Sequence, residues 1–155
     1  MRVEPKREDL GVDLLLVPHY AADDFTTVDL TTVPRQPAYL DETVDLDIAA
    51  GRDCLRQALV LRLLTPKGSL RDLGHASYGS RLHELIGEPN TPDNRLRARS
   101  FVLQALSEER RVAEVLELDV RPHAAVSDRI LIGLSVRPVA PGIVDSLAVA
   151  IEIDL

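Results

Sequence analysis

Apolar side chains recur at every second position in three stretches of the last third of the chain: Leu116, Leu118 and Val120; Ile130, Ile132, Leu134 and Val136; and Leu147, Val149, Ile151 and Ile153. A two-residue period puts each set on one face of a strand. Arg121-Pro122 and residues 138–142 supply turn chemistry between them, so the pattern predicts an antiparallel meander with one buried face. In the middle third the period lengthens to that of a helix. Leu55, Ala58, Leu59 and Leu63 define a first helix that begins near Gly51 and stops at Thr65-Pro66-Lys67-Gly68. Pro66 stops it because proline lacks a backbone donor and disfavours helical geometry at the residue before it. Val60, Leu61 and Leu64 extend the apolar cover almost all round, which predicts burial between layers. A short helix over about residues 80–86 ends at Gly87. Thr91-Pro92 then marks the N-cap and first turn of a third helix, running to about Ser107 with Leu96, Val102, Leu103 and Leu106 as its apolar contacts. The apolar sheet face must be roofed, and the two longer helices are the elements able to roof it. The expected fold is α+β, with two to three helices packed on one face of a small antiparallel β-meander.

The first third is extended. Leu10, Val12, Leu14 and Leu16 alternate with Gly11, Asp13 and Leu15 and predict a short strand ended by Val17-Pro18. Residues 23–37, rich in Thr, Asp and Pro, predict a loop or an edge ribbon, and Val44, Leu46 and Ile48 alternate again before the first helix. No internal repeat is read here. Residues 1–43 are therefore expected to form an extended acidic arm, and residues 44–155 the folded domain.

Charge narrows the partners. The formal net charge is −7, from 18 Lys and Arg against 25 Asp and Glu. Residues 1–46 hold 4 basic side chains against 10 acidic, residues 47–111 hold 11 against 8, and residues 112–155 hold 3 against 7. An acidic chain with 3% aromatic residues lacks the clustered cations that neutralise phosphates and the rings that stack on bases, so no nucleic-acid partner is expected. The basic middle is read as solvated helix faces, with an acidic partner or the chain's own acidic ends as the alternatives. No apolar run approaches the ~18 residues of a membrane helix, and no membrane partner is expected. The charged start, Met1–Asp9, lacks a signal-peptide pattern, and the single Cys54 leaves neither a disulfide framework nor a zinc ribbon. A reducing cytosol is the expected compartment.

Residue types suited to catalysis are present without the arrangement that catalysis needs. His19, His75, His83 and His123 fall in four separate segments. His83 and Glu84, adjacent on a helix, do not face each other. Cys54 falls in the apolar part of the first helix, as a small buried hydrophobe. Glu108 and Glu109 are neighbours that diverge, whereas glycosidase carboxylates oppose each other across about 5–9.5 Å. Arg110 and Arg111 beside them favour the charged carboxylate, the wrong direction for a general acid at neutral pH. The stretch from Gly74 to Gly79 contains no phosphate-binding glycine pattern. No catalytic residue, metal ligand or cofactor is expected, and the chain is expected not to be an enzyme.

One string in the middle is more specific. Gly51 followed by Leu55-Arg56-Gln57-Ala58-Leu59, then Arg62-Leu63-Leu64-Thr65-Pro66-Lys67-Gly68-Ser69-Leu70, then Tyr78-Gly79-Ser80-Arg81-Leu82 and Leu85-Ile86-Gly87, resembles the W-like baseplate wedge proteins of contractile phage tails. That lysozyme-like sheath-initiator family has relatives in type VI secretion and extracellular contractile injection systems. The resemblance covers about residues 44–140. It departs from the family after the third helix, where Glu-Pro-Arg and an aliphatic are the pattern and Glu109-Arg110-Arg111-Val112 stands here.

The resemblance implies a non-enzymatic baseplate subunit, present in several copies around the tube, that starts sheath polymerisation. Its implied partners are the sheath subunit and other wedge, hub or tube proteins, met through Glu109, Arg110 and Arg111. An intrachain salt bridge is the competing reading for Glu109 and Arg111. Arg62, Thr65, Pro66, Gly68, Tyr78 and Gly79 are implied as fold-making. The implied mechanism is strand exchange, and an antiparallel meander does have two edges with unpaired backbone groups to offer. Two alternatives are a regulatory anti-adaptor of the same fold class and a cell-wall hydrolase.

Overall fold

The computed structural model describes residues 10–18, 28–30, 32–34, 44–139 and 146–155, which pack as two compact units, Met1–Gln57 and Ala58–Leu155. In the second unit the three alternating stretches become β7 (Val112–Pro122), β8 (Arg129–Pro138) and β9 (Leu147–Asp154), an antiparallel sheet in the order β7-β8-β9. Ile130, Ile132, Leu134 and Val136 of β8 and Leu147, Val149 and Ile151 of β9 are buried, and the residues between them are half-buried or exposed. The strand face expected from the two-residue period is therefore the core face.

β7 departs from that period. Leu118 is buried and Val120 half-buried, but Leu116 is 42% exposed. The register shows why: Val115 pairs with Val136 and Glu117 with Ser135, so Leu116 is an extra residue with no partner on β8. Ala113 is skipped in the same way between Val112 and Glu114. Each bulge inserts one residue and re-aims the side chains around it.

α1 (Arg52–Leu64) starts and stops as expected and buries Cys54, Leu55, Leu59 and Leu63, while Leu64 lies exposed. The short middle helix is a 3-10 turn, Leu82–Leu85, and Gly87 after it has φ 87°. α2 (Pro92–Ser107) is N-capped by Thr91, whose hydroxyl accepts from the Asn94 N–H at 3.2 Å. It packs along β7 and buries Asn94, Ala98, Phe101, Val102, Ala105 and Leu106. Leu96 and Leu103, expected in the core, are 62% and 40% exposed. The small residues Ala98 and Ala105, 0% and 1% exposed, belong to the buried stripe. Two helices, a three-stranded sheet and smaller two-stranded sheets make an α+β fold.

The first unit, expected to be free of repeats over residues 1–43, holds one. Val12-Asp13-Leu14, Val28-Asp29-Leu30 and Val44-Asp45-Leu46 recur at a spacing of 16 residues. One residue further on stand Leu16-Val17-Pro18, Thr32-Val33-Pro34 and Ile48-Ala49-Ala50. These six tripeptides are the strands β1 (Val12–Leu14), β2 (Leu16–Pro18), β3 (Val28–Leu30), β4 (Thr32–Pro34), β5 (Val44–Leu46) and β6 (Ile48–Ala50). Their pairing is cyclic: β3 pairs with β2, β5 with β4, and β1 closes the set with β6. In every ladder the valine of the V-D-L segment lies opposite the last residue of its partner. The Leu15 N–H donates to the Asp47 carbonyl at 2.9 Å where two ladders meet. The Gln57 side chain of α1 straps the same point, donating to the Leu14 carbonyl and accepting from the Leu16 N–H, each at 2.8 Å. Parts of the ribbon expected over residues 23–37 and of the turn at 138–142 lie outside the described residues.

Candidate functional site

The motif residues scattered over positions 62–111 meet in one cluster at the end of α1. Arg62, in the last turn of α1, lays its guanidinium over the Tyr78 ring, 4.6 Å from the centroid, and donates to Glu109 Oε2 at 3.3 Å. Arg111 takes the other side of the same carboxylate, with Nε to Oε1 at 2.8 Å and Nη2 to Oε2 at 3.1 Å. Lys67 donates to Glu108 Oε1 at 2.5 Å. Arg62 Nη1 stands 4.0 Å from Glu108 Oε2, and the latter atom and Arg62 Nε are buried without a hydrogen-bond partner among the described residues. Lys67 and Glu108 are members of the cluster that the wedge-like string does not mark as site residues, Lys67 lying within its Thr-Pro-Lys-Gly turn.

Backbone contacts hold this cluster. Helix α1 ends with the Thr65 hydroxyl donating to the Leu61 carbonyl at 2.7 Å, and Pro66 then turns the chain so that Thr65–Lys67 runs beside Gly79–Ser80. Ser80 N–H donates to Thr65 O and Lys67 N–H to Ser80 O, both at 2.8 Å. Gly68 N–H reaches Tyr78 O at 3.4 Å. Gly79 has φ 105°, and a Cβ there would stand 2.5 Å from the Thr65 oxygen, so only glycine fits. The residues read as fold-making thus meet around one close backbone contact.

Glu109 is 7% exposed. Burial pushes its carboxyl pKa up, but the Arg111 side-chain hydrogen bonds, its charge and backbone N–H, and the Arg62 charge together hold it below the ordinary carboxylate range. A carboxylate kept ionised and bonded on both oxygens is a structural anion, unsuited to donating a proton at neutral pH. Arg110, between the paired residues, is exposed. Two of the histidines serve locally: His83 Nδ1 lies 3.1 Å from Ser80 O, and His123 Nδ1 accepts from the N–H groups of Ala125 and Val126. Among the described residues no group of His, Cys, Asp and Glu is placed to hold a metal ion. No helix among them is long and apolar enough to cross a membrane.

The two edges of the sheet differ. Leu155 N–H donates to Asp128 O at 2.7 Å, which fixes the ladder bonds of β9 on odd-numbered residues. The N–H and C=O groups of Ala148, Ala150 and Glu152 therefore face away from β8, and none has a backbone partner among the described residues. β9 runs in unbroken register with β8 over all eight residues. On β7 the same parity turns the even residues outward. There the Arg99 guanidinium donates to the Leu118 carbonyl, and the bulges at Ala113 and Leu116 break the row. Among the described residues one edge is regular and without a backbone partner on its outer side, and the other is kinked and partly capped.

No family model and no curated protein matches the chain. Its fold class recurs in a solved structure, that of a candidate tail lysozyme from Geobacter sulfurreducens. The two superpose with a TM-score of 0.53 at 19% identity, over 64% of this chain and 86% of that one. At that identity the likeness is one of fold.

Proposed function

We propose that this chain is a structural, non-enzymatic baseplate subunit of a contractile phage tail or phage-like injection particle, and that it starts sheath polymerisation by offering β9 to a sheath strand. The open β9 edge carries the reading: eight residues in regular register, with outward donors and acceptors at Ala148, Ala150 and Glu152. Three further observations support it. The wedge-family string folds into one cluster around Gly79, the fold is shared with a protein described as tail-associated, and Glu109 is held as an anion. In this reading Arg110 and the outer side of Arg111 meet neighbouring wedge, hub or tube proteins, while Glu109 holds the loop that presents them.

The test is co-purification of the tagged full chain with the sheath and wedge proteins of its own system. The expected result is capture of the sheath protein by the natural chain and its loss in Ala150→Pro, which removes an outward N–H without touching a ladder bond. Equal capture by a variant with an unchanged melting curve would reject the edge.

The neighbour's description as a lysozyme favours a second reading, a cell-wall hydrolase. A peptidoglycan turbidity assay separates the two: clearing by the natural chain that is lost in a Glu109→Gln variant still melting cooperatively would establish the hydrolase.

A further inference from the structure

Most cations of the described residues stand beside a carboxylate; Arg62, Lys67, Arg111, Arg129 and Arg137 all do. Arg95, Arg97 and Arg99 of α2 are different. Arg95 donates to the Asn90 carbonyl and to its side-chain oxygen, at 3.2 and 2.7 Å. Arg97 donates to Asn94 Oδ1 at 3.0 Å, and Arg99 to the Leu118 carbonyl. All these acceptors are neutral, and no carboxylate lies within ion-pair distance of the three among the described residues. In a chain of net charge −7, Arg95 and Arg99 of this helix have no carboxylate partner among the described residues, with Asp93 its sole acidic residue, whereas Arg97 acts on Glu84 and lies 5.9 Å over the Phe101 ring.

Two of them border a groove. Pro92, Arg95, Leu96 and Arg99 of α2 face Asp119 and Val120 of β7 across a cavity of about 350 Å³. Pro92, Leu96 and Val120 are its apolar lining, with Leu96 62% exposed. Arg95 and Arg99, one helical turn apart, stand on the same side of it. Asp119 belongs to an ion pair with Arg121 at 3.7 Å.

We propose that this groove receives an acidic segment of a partner protein, an aliphatic side chain seated against Leu96 and Val120 and flanking carboxylates paired with Arg95 and Arg99. Charge complementarity selects the occupant: a basic segment would meet two arginines, and an uncharged one would leave both without carboxylates. The exposed Leu96 requires the apolar anchor, because a small anion would leave it wet. The site lies on the β7 side of the sheet, apart from the β9 edge, so it stands or falls independently of strand acceptance.

The probe is a fluorescein-labelled peptide with a central leucine flanked on both sides by glutamates, titrated against the full chain by anisotropy, with amide shifts of the labelled protein locating it. Binding is expected to perturb residues 92–99 and 118–121, to weaken in high salt, and to fall roughly tenfold or more in Arg95→Glu/Arg99→Glu. Because Arg99 also caps Leu118, the second variant is Leu96→Asp, whose exposed side chain leaves folding intact and whose binding should also fall. Absence of binding, equal binding by Leu96→Asp, or full displacement by inorganic phosphate would overturn the proposal.

Discussion

At Glu109 two opposing effects meet, desolvation of a carboxylate and the two guanidiniums that surround it, and the cations win. The sign of the pH dependence follows. A carboxyl whose native pKa is depressed contributes stability that is fully present above its unfolded value, near pH 4.3, and is lost as pH falls through the native value. Glu109→Gln should therefore lower neutral-pH stability by about 2–4 kcal/mol, leaving Arg62 and Arg111 without their shared anion, and should flatten the loss of stability in acid. Chemical denaturation across that range measures both. Gly79→Ala should cost about 2–4 kcal/mol, since it adds a Cβ at positive φ against the Thr65 oxygen. A melting curve close to that of the natural chain would show that the Thr65–Lys67 contact is not what holds this loop. The members of this cluster were legible in the sequence as a string, but their joint geometry was not. Arg62 and Glu109 are separated by 47 positions, and only the return of β7 past the end of α1 brings them together.

The strands and helices show where periodicity suffices and where it misleads. Ile132 is 1% exposed and pairs with Val120 and Ile151, so Ile132→Asp should abolish folding, visible as loss of the cooperative melt. Leu116 shares the same apparent period in sequence, yet Leu116→Asp should change stability by no more than about 0.5–1 kcal/mol, because the bulge turns it to solvent. Hydrophobicity alone cannot show a bulge: the extra residue is read as one more step of the alternation. Leu96 and Leu103 mislead for a related reason: leucine is the stronger apolar signal, whereas the buried stripe of α2 includes the small residues Ala98 and Ala105. The cyclic β-ladders of the first unit are written in the sequence as V-D-L at equal spacing, hidden by the dissimilar sequence between. Gln57→Ala should loosen them, seen as faster amide exchange at Leu14–Leu16, since its amide bonds both Leu14 and Leu16.

For the molecule as a whole, the open question in the sequence was which rim of the sheet is available. The order β7-β8-β9 makes both outer strands edges, and the difference between them lies in bulges and an arginine cap that no pattern of apolar residues encodes. The account rests on β9 as the accepting edge. Hydrogen exchange of the full chain, followed by mass spectrometry with and without the sheath subunit of its own system, tests this most directly. Strand addition predicts new protection at the outward amides of Ala148, Ala150 and Glu152, with β7 unchanged. Protection confined to β7, or a bound sheath subunit that leaves β9 exchanging as before, would contradict it.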